Sequence, residues 1–177
     1  MGKRSNFERR DRDFYPTPYE AVVPLLPHLE ERTWFDEPCA GDGALVMHLN
    51  KHGHVCDYAG DITPRADWIT QRNAMELPKE IWGGSVQCFI TNPPWDREIL
   101  HTLIPRLSDI APTWLLFDAD WMHTKQSSPY MPRCKKIVSV GRIKWIPDSK
   151  MTGKDNCCWY LFTKGQTAHT EFYGRTA

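Results

Sequence analysis

The chain has 177 residues, 41% of them hydrophobic and 12% aromatic, which is the length and apolar content of one folded domain and excludes extensive disorder. Its 22 basic and 22 acidic side chains cancel, which argues against a protein that coats nucleic acid by bulk electrostatics. No run is long and apolar enough for a signal peptide or a bilayer span, and the six cysteines form no CxxC pair, so the expectation is a cytoplasmic, membrane-free protein with reduced thiols and no metal.

In chain order, Lys3 to Arg12 is basic and reads as a flexible tail over 1–12, ahead of a single domain over 13–177. Thr17-Pro18-Tyr19-Glu20 has the form of a capping box with proline at the first helical position. A strand at Trp34 to Glu37 leads into Glu37-Pro38-Cys39-Ala40-Gly41-Asp42-Gly43, and a helix fits Gly43 to His52. Two glycines at a strand-to-helix turn let backbone approach a ligand, and the amides of the helix start favour electronegative groups. The dinucleotide fingerprint requires a third glycine where Val46 stands, so a cofactor without a pyrophosphate fits better.

Cys56 to Gly60 reads as the next strand, closed by Asp61 about twenty residues beyond the turn, where a carboxylate can accept hydrogen bonds from ribose hydroxyls. Taken alone, Asp61 would equally serve as a cap or turn residue. The apolar run Val86 to Thr91 predicts a strand that ends on Asn92-Pro93-Pro94-Trp95. Two prolines fix the backbone there, hold Asn92 extended and remove amide donors, giving a rigid turn at a strand's carboxyl end. Such a turn can present the Asn92 side-chain oxygen and the Pro93 carbonyl as a pair of acceptors for an amino group, with Trp95 as a stacking surface for a planar target. A plain Pro-Pro turn followed by a core tryptophan is the bland alternative. Position after a cofactor turn favours the chemical one.

Arg97 to Asp109 has helical apolar spacing with Pro105 expected to bend it, and Thr113 to Phe117 reads as a fourth strand. Alternation of these elements predicts an α/β fold, a mostly parallel sheet with helices on both faces. Between Arg133 and Lys154, seven basic residues including Arg142, Lys144 and Lys150 face one acid, Asp148, making a candidate phosphate-contacting segment. Ile137 to Ile146 and Cys157 to Thr163 are β-rich with no room for a crossover helix, which predicts an antiparallel hairpin at the sheet edge.

With these motifs in order, the chain resembles the class I S-adenosylmethionine-dependent methyltransferases, and particularly the small phage-type DNA adenine-N6 methyltransferases, over nearly its whole length. The resemblance implies a Rossmann-like sheet, S-adenosylmethionine as cofactor with S-adenosylhomocysteine as product, and a bacterial or phage-infected cell. Asp13 to Pro18 resembles the N-terminal cofactor motif, which implies that Tyr15 and Thr17 line the methionine end. Glu37, Pro38, Ala40 and Gly41 resemble the glycine-turn motif, Asp61 the ribose-binding acid, and Asn73-Ala74-Met75 the adenine-holding element, where an aspartate is commoner than Asn73. Asn92, Pro93, Pro94 and Trp95 match the catalytic (D/N/S)PP(Y/F/W) motif. Gly141 to Trp145 resembles the element flanking the target base, which implies a second stacking face at Trp145; a buried hairpin tryptophan is the alternative reading of that residue.

The expected activity is adenine-specific DNA methylation on a base extruded into a pocket at Asn92–Trp95, by a monomer or weak dimer without a separate target-recognition domain. The same acceptor pair suits an adenine in RNA or a glutamine amide in protein. A non-catalytic cofactor-binding subunit is the competing class, and a nicotinamide oxidoreductase a more distant one.

Overall fold

The computed structural model describes residues 14–77, 87–146 and 153–175. The basic tail, Asp13, Val86 and Lys150 lie outside them. One eight-stranded sheet runs in the order β3-β2-β1-β4-β5-β7-β6-β8, from β1 (Trp34–Glu37), β2 (Val55–Asp61), β3 (Thr70–Gln71), β4 (Cys88–Thr91), β5 (Thr113–Asp118), β6 (Cys134–Gly141), β7 (Cys157–Phe162) and β8 (Glu171–Tyr173). Strands β1 to β5 pair parallel, and β7 is antiparallel to both β5 and β6. The expected α/β fold and edge hairpin are therefore present. The hairpin's first strand is shifted toward the N-terminus, starting at Cys134 and ending at Gly141, so Arg142 to Ile146 lie beyond it.

Central strands alternate between two buried faces. Phe35, Ile90, Trp114, Leu116 and Trp159 pack toward one side with Ala21, Val22, Leu45 and Leu49. Phe89, Leu115, Phe117, Tyr160 and Phe162 pack toward the other with Leu100, Leu103, Ile104 and Leu107. These partners place α1 (Tyr19–Val22) and α2 (Ala44–Lys51) on one face and α3 (Arg97–Ser108) on the other. A strand buried on both sides needs a continuous apolar run, which is why β4 and β5 read so clearly in sequence. The helix over Arg97–Ser108 continues through Pro105, and Asp96 caps it by accepting from the Glu98 and Ile99 amides.

The capping box does not form. Pro18 occupies the cap position of α1, with no side-chain cap hydrogen bond, so Thr17 stands one position too early to cap, and its hydroxyl accepts from Asn92. The short strands β3 and β8 go beyond the elements expected from sequence; β3 lies beside β2, and β8 runs parallel to β6 at the opposite edge. No helix among the described residues is long and apolar enough to cross a membrane.

Asp36 on β1 is 5% exposed, and its Oδ1 has no hydrogen-bond partner among the described residues. Burial, reinforced by Asp57 and opposed by the Tyr58 amide, raises its pKa to about 7. An acid whose pKa is higher folded than unfolded binds protons more tightly in the native state, so stability falls as pH rises between the two values. Relative to Asp36→Asn, the wild-type protein should lose roughly 2 kcal/mol between about pH 4 and pH 7, allowing for local relaxation. Urea melts of both proteins across that range check this, and a constant difference would refute it.

Candidate active site

The chain runs outward from β1 to β2 and β3, then returns to place β4 on the other side of β1. Open α/β sheets bind ligands at such a reversal, outside the carboxyl ends of the strands. Here those ends carry Glu37 and its glycine turn on β1, and Asn92 directly after β4.

Gly41 and Gly43 both take positive φ, at 58° and 82°. A Cβ on Gly41 would come within 2.6 Å of the Phe14 ring, and one on Gly43 within 2.1 Å of Trp68, so neither position has room for a side chain. The turn is held by Gly43 N–H to the Ala40 carbonyl at 2.7 Å and by Ala40 N–H to the Gly60 carbonyl at 2.9 Å. Asp61 binds it from β2: Oδ2 accepts from the Gly41 amide at 2.8 Å and Oδ1 from the Thr63 amide at 2.7 Å. Each oxygen keeps lone-pair capacity for another donor.

A cavity of about 290 Å³ opens above these turns. Its wall includes every residue expected at the cofactor: Tyr15, Thr17, Glu37, Pro38, Ala40, Gly41, Asp61, Asn73 and Ala74. Asn92 and Pro94 line it too, while Pro93 is buried and Trp95 half-buried outside the wall. Asn73 Oδ1 accepts from the Met75 amide at 3.0 Å and its Nδ2 donates to Glu76 at 3.3 Å, so this side chain also shapes its own turn. Phe14 and Met75, inside the two quoted cofactor motifs, also line it, while Ile62, Ile99 and Leu103 extend the wall beyond the residues expected from sequence. As scattered apolar residues they carry no signal separating a cavity wall from a core.

Glu37 is 1% exposed, and its Oε2 has no hydrogen-bond partner among the described residues. Burial holds its pKa well above the usual carboxylate range, and Asp61 adds to the rise. The Asn92 amide and the Thr91 hydroxyl pull slightly the other way, although that hydroxyl makes no full hydrogen bond. An orphaned carboxyl oxygen on a cavity wall has the chemistry to receive a cationic ligand group. Neighbouring Cys39 is an inert wall element, its thiol pushed up to about 12 by burial. All six cysteines are free. Among the described residues, no group of three or more His, Cys, Asp or Glu side chains could hold a metal.

At the turn itself, the Asn92 Nδ2 donates to Thr17 Oγ1 at 3.2 Å. The Trp95 indole N–H is shared between Asn92 Oδ1 at 3.2 Å and the Leu116 carbonyl at 3.1 Å. Trp145 meets Trp95 edge to face, with centroids 5.4 Å apart and planes at 90°. Perpendicular rings in contact form no parallel slot, so the arrangement does not sandwich a base between the two tryptophans.

Arg142, Lys144 and Lys154 are exposed around Trp145 in sequence. Arg133 leaves the basic group, because its guanidinium is paired to Asp109 at 2.6 Å and donates to Ser108 at 3.1 Å. Lys136 sits over the Tyr173 ring.

Neither a family model nor a curated protein matches the sequence. Solved structures do match the fold. A chain of a type I restriction-modification system superposes with a TM-score of 0.61 at 13% identity, covering 96% of this chain and 46% of that one. A protein of Listeria monocytogenes, provisionally named a class I S-adenosylmethionine-dependent methyltransferase, gives 0.59 at 8% identity, covering 97% and 68%. A protein of Pyrococcus horikoshii, provisionally named an RNA methyltransferase, gives 0.52 at 16% identity, covering 85% and 86%. The chain thus spans just under half the length of the restriction-modification relative, and it has the Rossmann-like fold that these methyltransferase structures share.

Proposed function

We propose that the protein is an S-adenosylmethionine-dependent methyltransferase acting on an exocyclic amino nitrogen, with adenine N6 in DNA as the favoured acceptor. The observation that carries this reading is that the glycine turn, Glu37, Asp61 and Asn92 all line one cavity at the reversal of the sheet. When bound, S-adenosylmethionine supplies an electrophilic methyl group on a sulfonium centre. Glu37 would receive its ammonium group, the glycine turn and Asp61 its ribose, and Asn73 and Ala74 its adenine. Its lack of phosphates agrees with Val46 in place of a third glycine.

An aryl amine is a weak nucleophile because its lone pair is delocalised into the ring. Asn92 Oδ1 and the Pro93 carbonyl, each accepting one N–H, would hold the nitrogen and draw it toward tetrahedral geometry, freeing the lone pair. No strong general base is then needed. Trp95 supports the turn and offers a face for the base.

Nucleic acid is favoured over a glutamine amide because the exposed cations Arg142 and Lys144 flank Trp145, which touches Trp95. The similarity to a restriction-modification chain favours DNA, and that to the Pyrococcus protein keeps RNA as the second reading. Incubating the protein with labelled cofactor and DNA, RNA or bulk protein, then digesting the product and weighing the nucleosides, tests the proposal. N6-methyladenine in DNA is the expected product. Transfer to protein alone, or none to any of the three despite cofactor binding, would replace this reading with the glutamine or the non-catalytic one.

Replacing Arg142 and Lys144 with glutamine should reduce the salt dependence of nucleic-acid binding by about 0.9 in log–log slope for each phosphate that is no longer neutralised. Fluorescence anisotropy over a salt series measures it, and an unchanged slope would mean that these residues form a solvated loop with no phosphate contact.

A further inference from the structure

We propose that Thr17 and Trp95 are positioning residues that lock the Asn92 amide in its acceptor orientation, and so restrict the site to targets presenting an amino group rather than an oxygen. This deepens, and rests on, the methyl-transfer reading above.

The two ends of an asparagine amide look alike in shape but not in chemistry, so what faces them decides which end is which. An indole N–H only donates. With the Trp95 Nε1 at 3.2 Å from one end of Asn92, that end must be the oxygen, since a nitrogen there would set two donors against each other. The other end is then Nδ2, and 3.2 Å away it finds the Thr17 hydroxyl as an acceptor. Thr17 is 6% exposed, so water does not readily replace it. The indole is itself anchored by the Leu116 carbonyl of β5 at 3.1 Å. Thr17 and Trp95 thereby hold the two ends of one amide, and β5 holds the second of them through the indole.

The consequence is chemical. Oδ1 has two lone pairs and spends one on Trp95, leaving one for a target N–H. An amide free to turn over would present Nδ2 to the target instead and could bind a carbonyl oxygen. Locked, Asn92 keeps its acceptor oxygen at the Trp95 end and its nitrogen, with the one hydrogen not given to Thr17, at the Thr17 end. Phenylalanine or tyrosine at position 95 would keep a stacking face without the indole donor, so the N–H gives this tryptophan a role distinct from its ring.

The test uses full-length wild-type protein, Thr17→Val, Thr17→Ser and Trp95→Phe. The substrate is a short single-stranded oligodeoxynucleotide holding one adenine, and the competitor is the same strand with hypoxanthine, which carries oxygen where adenine carries its amino group. Assayed at saturating S-adenosylmethionine, because Thr17 also lines the cofactor cavity, Thr17→Val and Trp95→Phe should each lower kcat about tenfold with the oligonucleotide KM within about a few fold, the cost of unpairing one polar group. Preference for adenine over hypoxanthine, measured as binding with S-adenosylhomocysteine present, should fall by about the same factor. Thr17→Ser keeps the hydroxyl and should restore both. Unchanged kcat and unchanged preference in Thr17→Val would overturn the lock. A readout independent of turnover is hydrogen exchange of the Asn92 side-chain amide by NMR, slow in the wild type and faster in Thr17→Val; equal rates would also overturn it. If the wild type methylates no nucleic acid yet shows that difference in exchange, the methyl-transfer reading fails while the lock stands.

Discussion

Asn92→Ala should reduce methyl transfer at least about a hundredfold while leaving cofactor affinity within a few fold, the scale seen when one group that stabilises a transition state is removed. The separation is expected because Asn92 is half-buried at one side of the cavity, whereas the groups assigned to the cofactor's ammonium and ribose sit on the β1 and β2 turns. Truncation removes the side-chain acceptor and leaves only the Pro93 carbonyl. It also releases the Thr17 hydroxyl and one branch of the Trp95 N–H, but the Leu116 carbonyl still holds the indole, so the turn should keep its shape. Single-turnover rates with labelled cofactor, alongside calorimetric titration of S-adenosylhomocysteine, separate the two quantities. Turnover within a few fold of wild type would mean that the Asn-Pro-Pro turn is architectural only.

How far the sequence could be read depended on whether the deciding interactions were local. Strands β4 and β5 were legible because strands covered on both faces must be apolar throughout, and the glycine turn because two positive-φ positions after a strand demand glycine. The capping box failed because the helix begins one residue later, with Pro18 at the cap, and the partner of the Thr17 hydroxyl, 75 positions away, has no local signature. Arg133 is comparable, since nothing near it in sequence reveals that Asp109, 24 positions earlier, neutralises it. The edge strands β3 and β8 span two and three residues, too short for any period to register. Trp95 could be read as an aromatic face, but the role of its N–H depends on Leu116, a backbone partner on another strand.

Cofactor affinity should rise with pH above the ordinary carboxylate range and should depend on Glu37. In the free protein, burial and the neighbouring Asp61 keep the Glu37 carboxyl protonated above the ordinary carboxylate range. A bound ammonium favours the ionised form, so binding pulls this pKa down and a proton leaves. Raising the pH therefore helps binding until the cofactor's own amino group begins to lose its charge, near pH 8 for an ordinary α-amine. Calorimetric titration at a series of pH values above the ordinary carboxylate range, each in two buffers of different ionisation enthalpy, should reveal net proton release, absent in Glu37→Gln. That variant should also bind more weakly by roughly 3 to 5 kcal/mol, because a positive group would be left buried without its counter-charge. Methylthioadenosine, which lacks the amino-acid end, provides the control: its affinity should be flat over the same range and nearly equal for both proteins. A Glu37→Gln protein that binds S-adenosylhomocysteine as tightly as wild type, with no change in proton release, would move the ammonium site away from β1.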